Sequence, residues 1–399
     1  MKHLLTVTLK LIAGLMFAIL VVTLAVSIQY YATTIYNDPN SKPFEGEYFY
    51  NPYDGYQPHT LKANFHAHSV AHMGLTNGSN EVEEVQAFYS SKGYDIASIS
   101  NYQKITVDSN NVNYIPVYEH GYNIKKVHQL VINAQKVSFF DFAGFQGKNQ
   151  KQEVFSWLKN SKSIVAIAHP KFMNGYPAKD LKKLRGYKLI EVFTRYRSTT
   201  ALWDSVLSAG MPVWLLASDD SHDISRRSDA GRRWTRIAAH GRSADSVVAA
   251  LRRGCHYGVS NGEISNDINS LLAFNVRNDS IELKLSNTAD VIKFIGDGGM
   301  VYDEFYHTST ARFGIPTYAT YVRVEVKTQS ETILLNPVVR FNGKSLSDTE
   351  VLPKVDYPKT TLTRLFFVLL SSFNLFLLLL FSSKFRQRLR FPPLAFPKI

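Results

Sequence analysis

Two apolar runs near the ends of the 399-residue chain constrain its architecture more than any other feature, because what lies between them must fold as a separate body. Leu11 to Ile28 carries no charge and, with Gln29, Tyr30 and Tyr31 at its edge, is long enough to span a bilayer. It is longer than the apolar core of a signal peptide, and no clear small-x-small site follows it. An uncleaved anchor is therefore expected in preference to a cleaved signal. The second run, Leu365 to Phe381, is broken only by Ser371, Ser372 and Asn374, and Lys384, Arg386, Arg388 and Arg390 follow at once. That basic flank favours a second span over a buried C-terminal helix. Lys2 and Lys10 precede the first run, and no Lys or Arg stands between Leu11 and Ser41. The positive-inside bias then predicts both termini in the cytoplasm and the central region beyond a bacterial inner (cytoplasmic) membrane, periplasmic or extracellular.

Part of the net charge of +12 belongs to these flanks, so it calls for no nucleic-acid partner. Cys255 is the single cysteine, which excludes an intramolecular disulfide. An external domain must then be held by its core and by any metal it binds, as suits a bacterial envelope protein.

Between the runs, periodicity divides the chain. Residues 1–36 hold the N-terminal tip and first span, 37–59 a linker, 60–262 an α/β domain, 263–350 a β-rich domain, 351–363 a second linker, 364–383 the second span and 384–399 a basic cytoplasmic tail. In the α/β region the short apolar runs Leu61–Phe65, Ile96–Ile99, Tyr114–Tyr118, Val127–Ile132, Ile164–Ala168, Leu189–Phe193 and Val213–Ala217 read as buried strands of a parallel sheet. Glu81–Ser91, Gln150–Lys159, Ala178–Leu184 and Thr199–Ser208 read as helices between them, with Gly93, Gly186 and Gly210 at helix ends. Recurrent βα units predict an α/β barrel or open sheet. From Ile264 onward the runs Leu271–Val276, Ser280–Leu285, Val291–Ile295, Tyr318–Val326 and Ile333–Phe341 predict a small β-sandwich.

The chemistry gathers at the strand ends. In parallel α/β folds functional residues lie at the carboxyl ends of strands. Here His66 and His68 follow the first run, Glu119 and His120 the third, His169 the fifth, and Asp219, Asp220 and His222 the last, while His128 lies within Val127–Ile132. His66 and His68, two apart on a strand, can face one ion. Seven of the twelve histidines fall between positions 66 and 222.

The motifs NFHAHS, YEHG, the His of KKVHQL, IAHP, IEVF and ASDDSHD stand in an order that resembles the polymerase and histidinol phosphatase (PHP) family of metal-dependent hydrolases, over about Lys62 to Gly262. The order Arg233-Trp234-Thr235, Ala250-Leu251-Arg252-Arg253-Gly254 and Tyr257, followed by a β-rich tail, is similar to the carbaryl-hydrolase-like branch. The resemblance implies a distorted seven-stranded (β/α) barrel of PHP type, with a C-terminal β-sandwich and two flanking transmembrane helices. It further implies one metal on His66, His68 and Asp220 with Glu119 as a bridge, and a second on Glu119, His128 and His169. Such mixed ligands suit zinc, manganese or iron. Two ions would activate a shared water, giving a metal-bound hydroxide for attack on phosphorus or a carbonyl carbon. Glu119, Asp220 and His222 are the catalytic candidates.

Where the family has an Asp-His pair after its second strand, this chain has Ser100-Asn101-Tyr102. A phenol is a poor replacement for an imidazole ligand. A two-metal centre is expected rather than three ions, with His222 left to bind substrate or act as an acid. The spacing of His72 from His66 differs from the family pattern. Arg226, Arg227, Arg232, Arg233 and Arg236 lie within one segment beyond this motif, and guanidinium groups suit anions. Arg226, Arg227, Arg233 and Tyr102 are the substrate-binding candidates, against a solvated basic loop. Glu191 is read as an acid at a strand end or a support for a histidine, and Asp219 as a turn cap or a contact at the metal edge. His120, His240, His256, His307 and Cys255 are read as structural.

These readings point to a membrane-anchored, extracytoplasmic phosphoesterase acting on a small-molecule or lipid-headgroup anion. The alternatives are hydrolysis of an amide, carbamate or carboxyl ester, and a non-catalytic, metal-stabilised envelope binding protein.

Overall fold

The computed structural model describes residues 2–107, 114–196, 198–226, 228–261, 269–344, 346 and 351–389, with backbone only for 2–5 and 382–389. Its helices are α1 (Lys2–Tyr30), α2 (Val82–Ser91), α3 (Lys148–Leu158), α4 (Ala178–Leu181), α5 (Thr200–Leu207), α6 (Ala244–Arg253) and α7 (Tyr357–Leu389). Two units emerge: residues 1–37, 142–144 and 354–399 form one, and residues 38–141 and 145–353 the other.

In the first unit α1 and α7 are each long and apolar enough to cross a membrane, over Thr6–Tyr30 and Tyr357–Phe381. Polar interruptions in the two runs meet. The Thr23 hydroxyl donates to Asn374 Oδ1 at 3.1 Å, and the hydroxyls of Ser27 and Ser371 lie 2.9 Å apart. Ser27 and Asn374 are buried, so these side chains satisfy one another where the rest of the helix surface is apolar.

The second unit is mixed α/β. Its strands are β1 (Tyr48–Tyr50), β2 (Leu61–Asn64), β3 (Ile96–Ala97), β4 (Val117–His120), β5 (Gln129–Ile132), β6 (Ile164–Ile167), β7 (Leu189–Phe193), β8 (Trp214–Ala217), β9 (Arg233–Ile237), β10 (His256–Asn261), β11 (Leu271–Arg277), β12 (Ser280–Ile295), β13 (Val301–Gly314), β14 (Tyr321–Lys327) and β15 (Glu331–Phe341). One sheet runs β4-β5-β6-β7-β8, and β6, β7 and β8 are parallel as the buried apolar runs predict. The all-parallel expectation fails at β5, which is antiparallel to both β4 and β6. The short Gly121–His128 connection explains the first reversal, since a parallel crossover needs about a dozen residues or more.

The other sheet runs β11-β12-β14-β15-β10-β9-β2-β3, with β13 on β12 and β1 on β15. The strands expected beyond Ile264 are present, but Ser280–Leu285 and Val291–Ile295 belong to one strand with an irregularity between Lys284 and Ala289. One sheet, antiparallel except where β2 pairs β3, thus curls around a shared core containing Phe274, Ile292, Phe294, Trp234 and Tyr257. Two isolated parallel bridges join the segment after β2 to that after β8, Ala67 with Ser221, and the segment after β3 to β4, Tyr102 with Glu119.

Gly258 of β10 marks a close approach: a Cβ there would lie 2.6 Å from Leu215 Cδ1 and 3.0 Å from Ala217 Cβ, both on β8. A side chain would wedge β8 and β10 apart. Gly258→Val is expected to destabilise this unit by about 1–3 kcal/mol through overpacking, read as a lower denaturation midpoint than wild type.

Candidate metal centre

Each strand delivers its ligand for a local reason. His66 and His68 continue beyond β2, and alternation places both imidazoles on one side with Ala67 between them. Glu119 lies in β4, so its neighbour His120 faces away: His120 Nδ1 is 2.8 Å from Gln129 Oε1 and its Nε2 3.0 Å from the Phe140 carbonyl. His128 immediately precedes β5, and His169 follows β6. His169 (φ 27°) and Asp220 (φ 52°) both adopt left-handed backbone, uncommon for residues with a Cβ and frequent where function holds a side chain in place.

These residues converge on Glu119, which is fully buried. Its Oε2 lies 3.3 Å from His66 Nε2 and 3.1 Å from His68 Nε2. Its Oε1 lies 2.6 Å from His128 Nδ1 and 2.9 Å from His169 Nε2. Asp220 Oδ1 closes the first side, 3.1 Å from His66 Nε2 and 3.4 Å from His68 Nε2. The six ligands predicted from the sequence are therefore assembled, with the carboxylate of Glu119 between two sets of imidazoles.

The donor set fits a metal. His66 Nε2, His68 Nε2, Glu119 Oε2 and Asp220 Oδ1 are buried without a hydrogen-bond partner, although they crowd within a few Å of one another. Buried polar atoms are rarely left so, and convergent orphans of this kind are what a cation satisfies. The triads His66-His68-Asp220 and His66-Glu119-His169 each place one ligand atom per residue within 4.8 Å of the others.

Glu191 of β7 does supporting work. One oxygen accepts from His66 Nδ1 at 2.9 Å and from the Ser218 hydroxyl; the other accepts from the His169 backbone N–H at 2.7 Å. A proton held on Nδ1 leaves the Nε2 lone pair of His66 aimed at the cluster. Burial would raise the pKa of Glu119, but the imidazoles of His128 and His66 more than offset it and hold the carboxyl well below its usual range. Asp220 is likewise held low: burial works against its charge, and His66 and His68 outweigh it. Burial, then the neighbouring His68, pushes His222 down to about 3. His222 held neutral in this way offers a ring nitrogen that can accept a hydrogen bond.

Asn101 and Tyr102, expected from the sequence to replace a ligand pair, lie beside the centre and are engaged with protein groups. Asn101 is consumed structurally, accepting from Ser69 N at 2.9 Å and donating to the Ser69 and Thr106 hydroxyls. Tyr102 stacks on His68 with ring centroids 4.6 Å apart and lies 5.6 Å from the His128 ring, forming one wall of the centre. His72 Nε2 meets the Tyr102 carbonyl at 2.8 Å.

The arginine segment is placed differently. Arg226 is exposed and pairs with Asp223 at 3.2 Å, while Arg227 lies outside the described residues. Arg233 Nη1 is 3.9 Å from Asp219. Asp219 caps this turn by accepting from the backbone of Gly231, Arg232 and Arg233 and from the Tyr89 hydroxyl, and burial pushes it up to about 6. The cation beside the centre is instead Arg195, which sequence reasoning missed. Burial works against its charge, yet Asp220, Tyr196 and Asp229 around it more than compensate. It donates to Asp229 at 3.0 Å and lies 4.9 Å from the Tyr196 ring. Tyr196 in turn sits 5.6 Å from His169 and stacks on Phe172 at 4.0 Å. The signal was the Arg195-Tyr196 pair, one residue beyond IEVF.

No protein-family model matches the chain, and no curated protein does. Among solved structures it is similar to a two-domain protein containing a predicted PHP-like metal-dependent phosphoesterase from Bacteroides vulgatus. The match has 17% identity, covers 75% of this chain and 100% of that one, and has a TM-score of 0.39.

Replacing Glu191 by Gln keeps its shape but removes the charge behind His66. Metal affinity, measured by competition with a chromogenic chelator, is expected to fall about 10–100-fold.

Proposed function

We propose that this chain is a metal-dependent hydrolase of PHP type, a phosphoesterase, held by two helices in the membrane with its catalytic domain outside the cytoplasm. The observation that carries the reading is the bridging position of Glu119, one oxygen toward His66 and His68 and the other toward His128 and His169. His66, His68, Asp220 and Glu119 would hold one divalent ion, and Glu119, His128 and His169 a second. Zinc, manganese and iron all accept such ligands. Bound there, the ions supply Lewis acidity and lower the pKa of water.

The chain's own residues supply the rest. Tyr102 on one side and Tyr196 on the other wall the centre and limit water. Arg195 offsets the negative charge of an incoming phosphate, a task for which a guanidinium is suited. His222, neutral and next to Asp220, accepts a hydrogen bond from substrate or water. The bridges Ala67–Ser221 and Tyr102–Glu119 favour a reading of β2 to β8 as the distorted seven-stranded barrel of that family.

Metal analysis of the full-length protein, paired with hydrolysis of generic phosphate and carboxyl esters, tests this. Bound zinc, manganese or iron and turnover of phosphate esters are expected. Glu119→Gln should lower turnover by at least a hundredfold, since it weakens the one group shared by both sites; unchanged turnover would remove the bridge from the mechanism. For topology, a reporter fused after Ile399 should be active only in the cytoplasm, and an external signal would overturn the two-span arrangement.

A further inference from the structure

The loops that carry the ligands also present apolar side chains to solvent. Met73 is 98% exposed and Leu75 84%, both in the segment after β2; Ile124, after β4, is 52% exposed and Met173, after β6, 47%. Single exposed apolar residues are ordinary on a protein surface. These four are distinguished by where they stand and how they are held. Met73 lies between His72 and Gly74 in three consecutive left-handed residues (φ 50°, 56° and 80°), and Met173 is followed by Asn174 in the same conformation (φ 48° and 54°). Left-handed backbone is costly for residues with a Cβ, and such cost concentrates at ligand clamps.

All three loops border the ligand cluster. His72 is tied to the Tyr102 carbonyl, and the Tyr102 ring stacks on His68. Phe172, next to Met173, packs 5.6 Å from His169. A Cβ on Gly175 would lie 3.1 Å from the Lys125 carbonyl and 3.3 Å from that of Lys126, so the loop after β6 lies against the loop after β4. The loop after β8 carries acids, of which Asp229 pairs with Arg195 and Asp223 with Arg226, but the other loops are cationic. Segments 65–80, 121–128, 168–177 and 194–199 contain no Asp or Glu, while Lys125, Lys126, Lys171 and Arg195 stand among them. A rim that is apolar and cationic around a buried centre matches a ligand with an anionic head and a long apolar chain.

We propose that the substrate is a membrane lipid bearing a phosphate ester, its head at the ligand cluster and its chain against Met73, Leu75, Ile124 and Met173. This deepens, and rests on, the phosphoesterase reading. In the reaction the oxygen of water bonds to phosphorus, the phosphorus–oxygen bond to the lipid alcohol breaks, and the water's proton goes to that alcohol. Methionine, flexible and polarisable, suits contact with chains of varied shape.

The full-length protein in nanodiscs, supplied with manganese, is given dioleoyl phosphatidate in the disc or glycerol 3-phosphate in solution. Preference for phosphatidate is expected. Met73→Ser combined with Leu75→Ser, and separately Met173→Ser, should each lower phosphatidate turnover about tenfold, the worth of one well-buried apolar side chain, while leaving glycerol 3-phosphate turnover within about twofold. A second readout is independent of turnover. A polarity-sensitive dye on Met173→Cys should shift to the blue when phosphatidate is mixed into phosphatidylcholine discs, whereas one on Tyr318→Cys, 70% exposed on the β-rich side, should not. Equal use of both esters with no dye shift would overturn the lipid assignment and leave the phosphoesterase reading standing. Loaded protein that hydrolyses no phosphate ester would overturn both.

Discussion

The buried carboxylate of Glu119 is the constraint around which the rest of the second unit is arranged. An isolated charge at its position would cost several kcal/mol in lost solvation. Four imidazoles meet that demand, two on each oxygen, and Asp220 adds a second negative charge on the His66 and His68 side. The imidazoles respond unequally: burial pushes His128 down, whereas against burial the surrounding carboxylates hold His66 and His169 above the usual range. Cations shared between the two faces of Glu119 would balance the same charges without requiring any imidazole to be charged. That is why the orphaned nitrogen and oxygen atoms and the low-lying carboxyls belong to one description.

This demand propagates outward through backbone. Glu119 sits on β4, and its neighbours in register are fixed by β5 on one side and by the Tyr102 bridge on the other. His66 is fixed twice, by β2 and by Glu191 from β7. Glu191 also holds the His169 backbone, so one buried acid positions a ligand on each side of the centre. Its removal is therefore expected to loosen both sites together rather than one.

Much of the centre was legible because it rests on short-range rules. Strand alternation separates Glu119 from His120 and pairs His66 with His68, and apolar runs announce where each ligand emerges. What was not legible depends on direction and partners that a linear pattern does not carry. The reversal between β4 and β5 is implied by their short connection, but that between β5 and β6 spans α3, a connection long enough for either direction. β13 went unread because its sequence, YDEFYHTSTARF, mixes polar residues with scattered aromatics and shows no clean apolar run, as suits a strand paired only with β12 and buried only at Ala311 and Phe313. The arginine segment was conspicuous as charge, yet Asp219 takes its backbone and Asp223 takes Arg226, whereas the solitary Arg195 gains its place from the loop after β7.

Tyr102 shows how a substitution in a metal-site pattern can be more than a loss. Its ring occupies the flank of His68 and lies 6.4 Å from the His222 ring, setting an apolar face beside the imidazoles. Burial raises its phenol pKa far above the usual value, so it stays neutral at any physiological pH. A neutral ring beside the bridging carboxylate lowers the local dielectric, and lower dielectric strengthens every charge interaction that remains. The backbone carbonyl of the same residue is held by His72, which anchors the exposed Met73 loop. Tyr102 thus joins the wall of the centre to its apolar rim, the surface a lipid chain would meet.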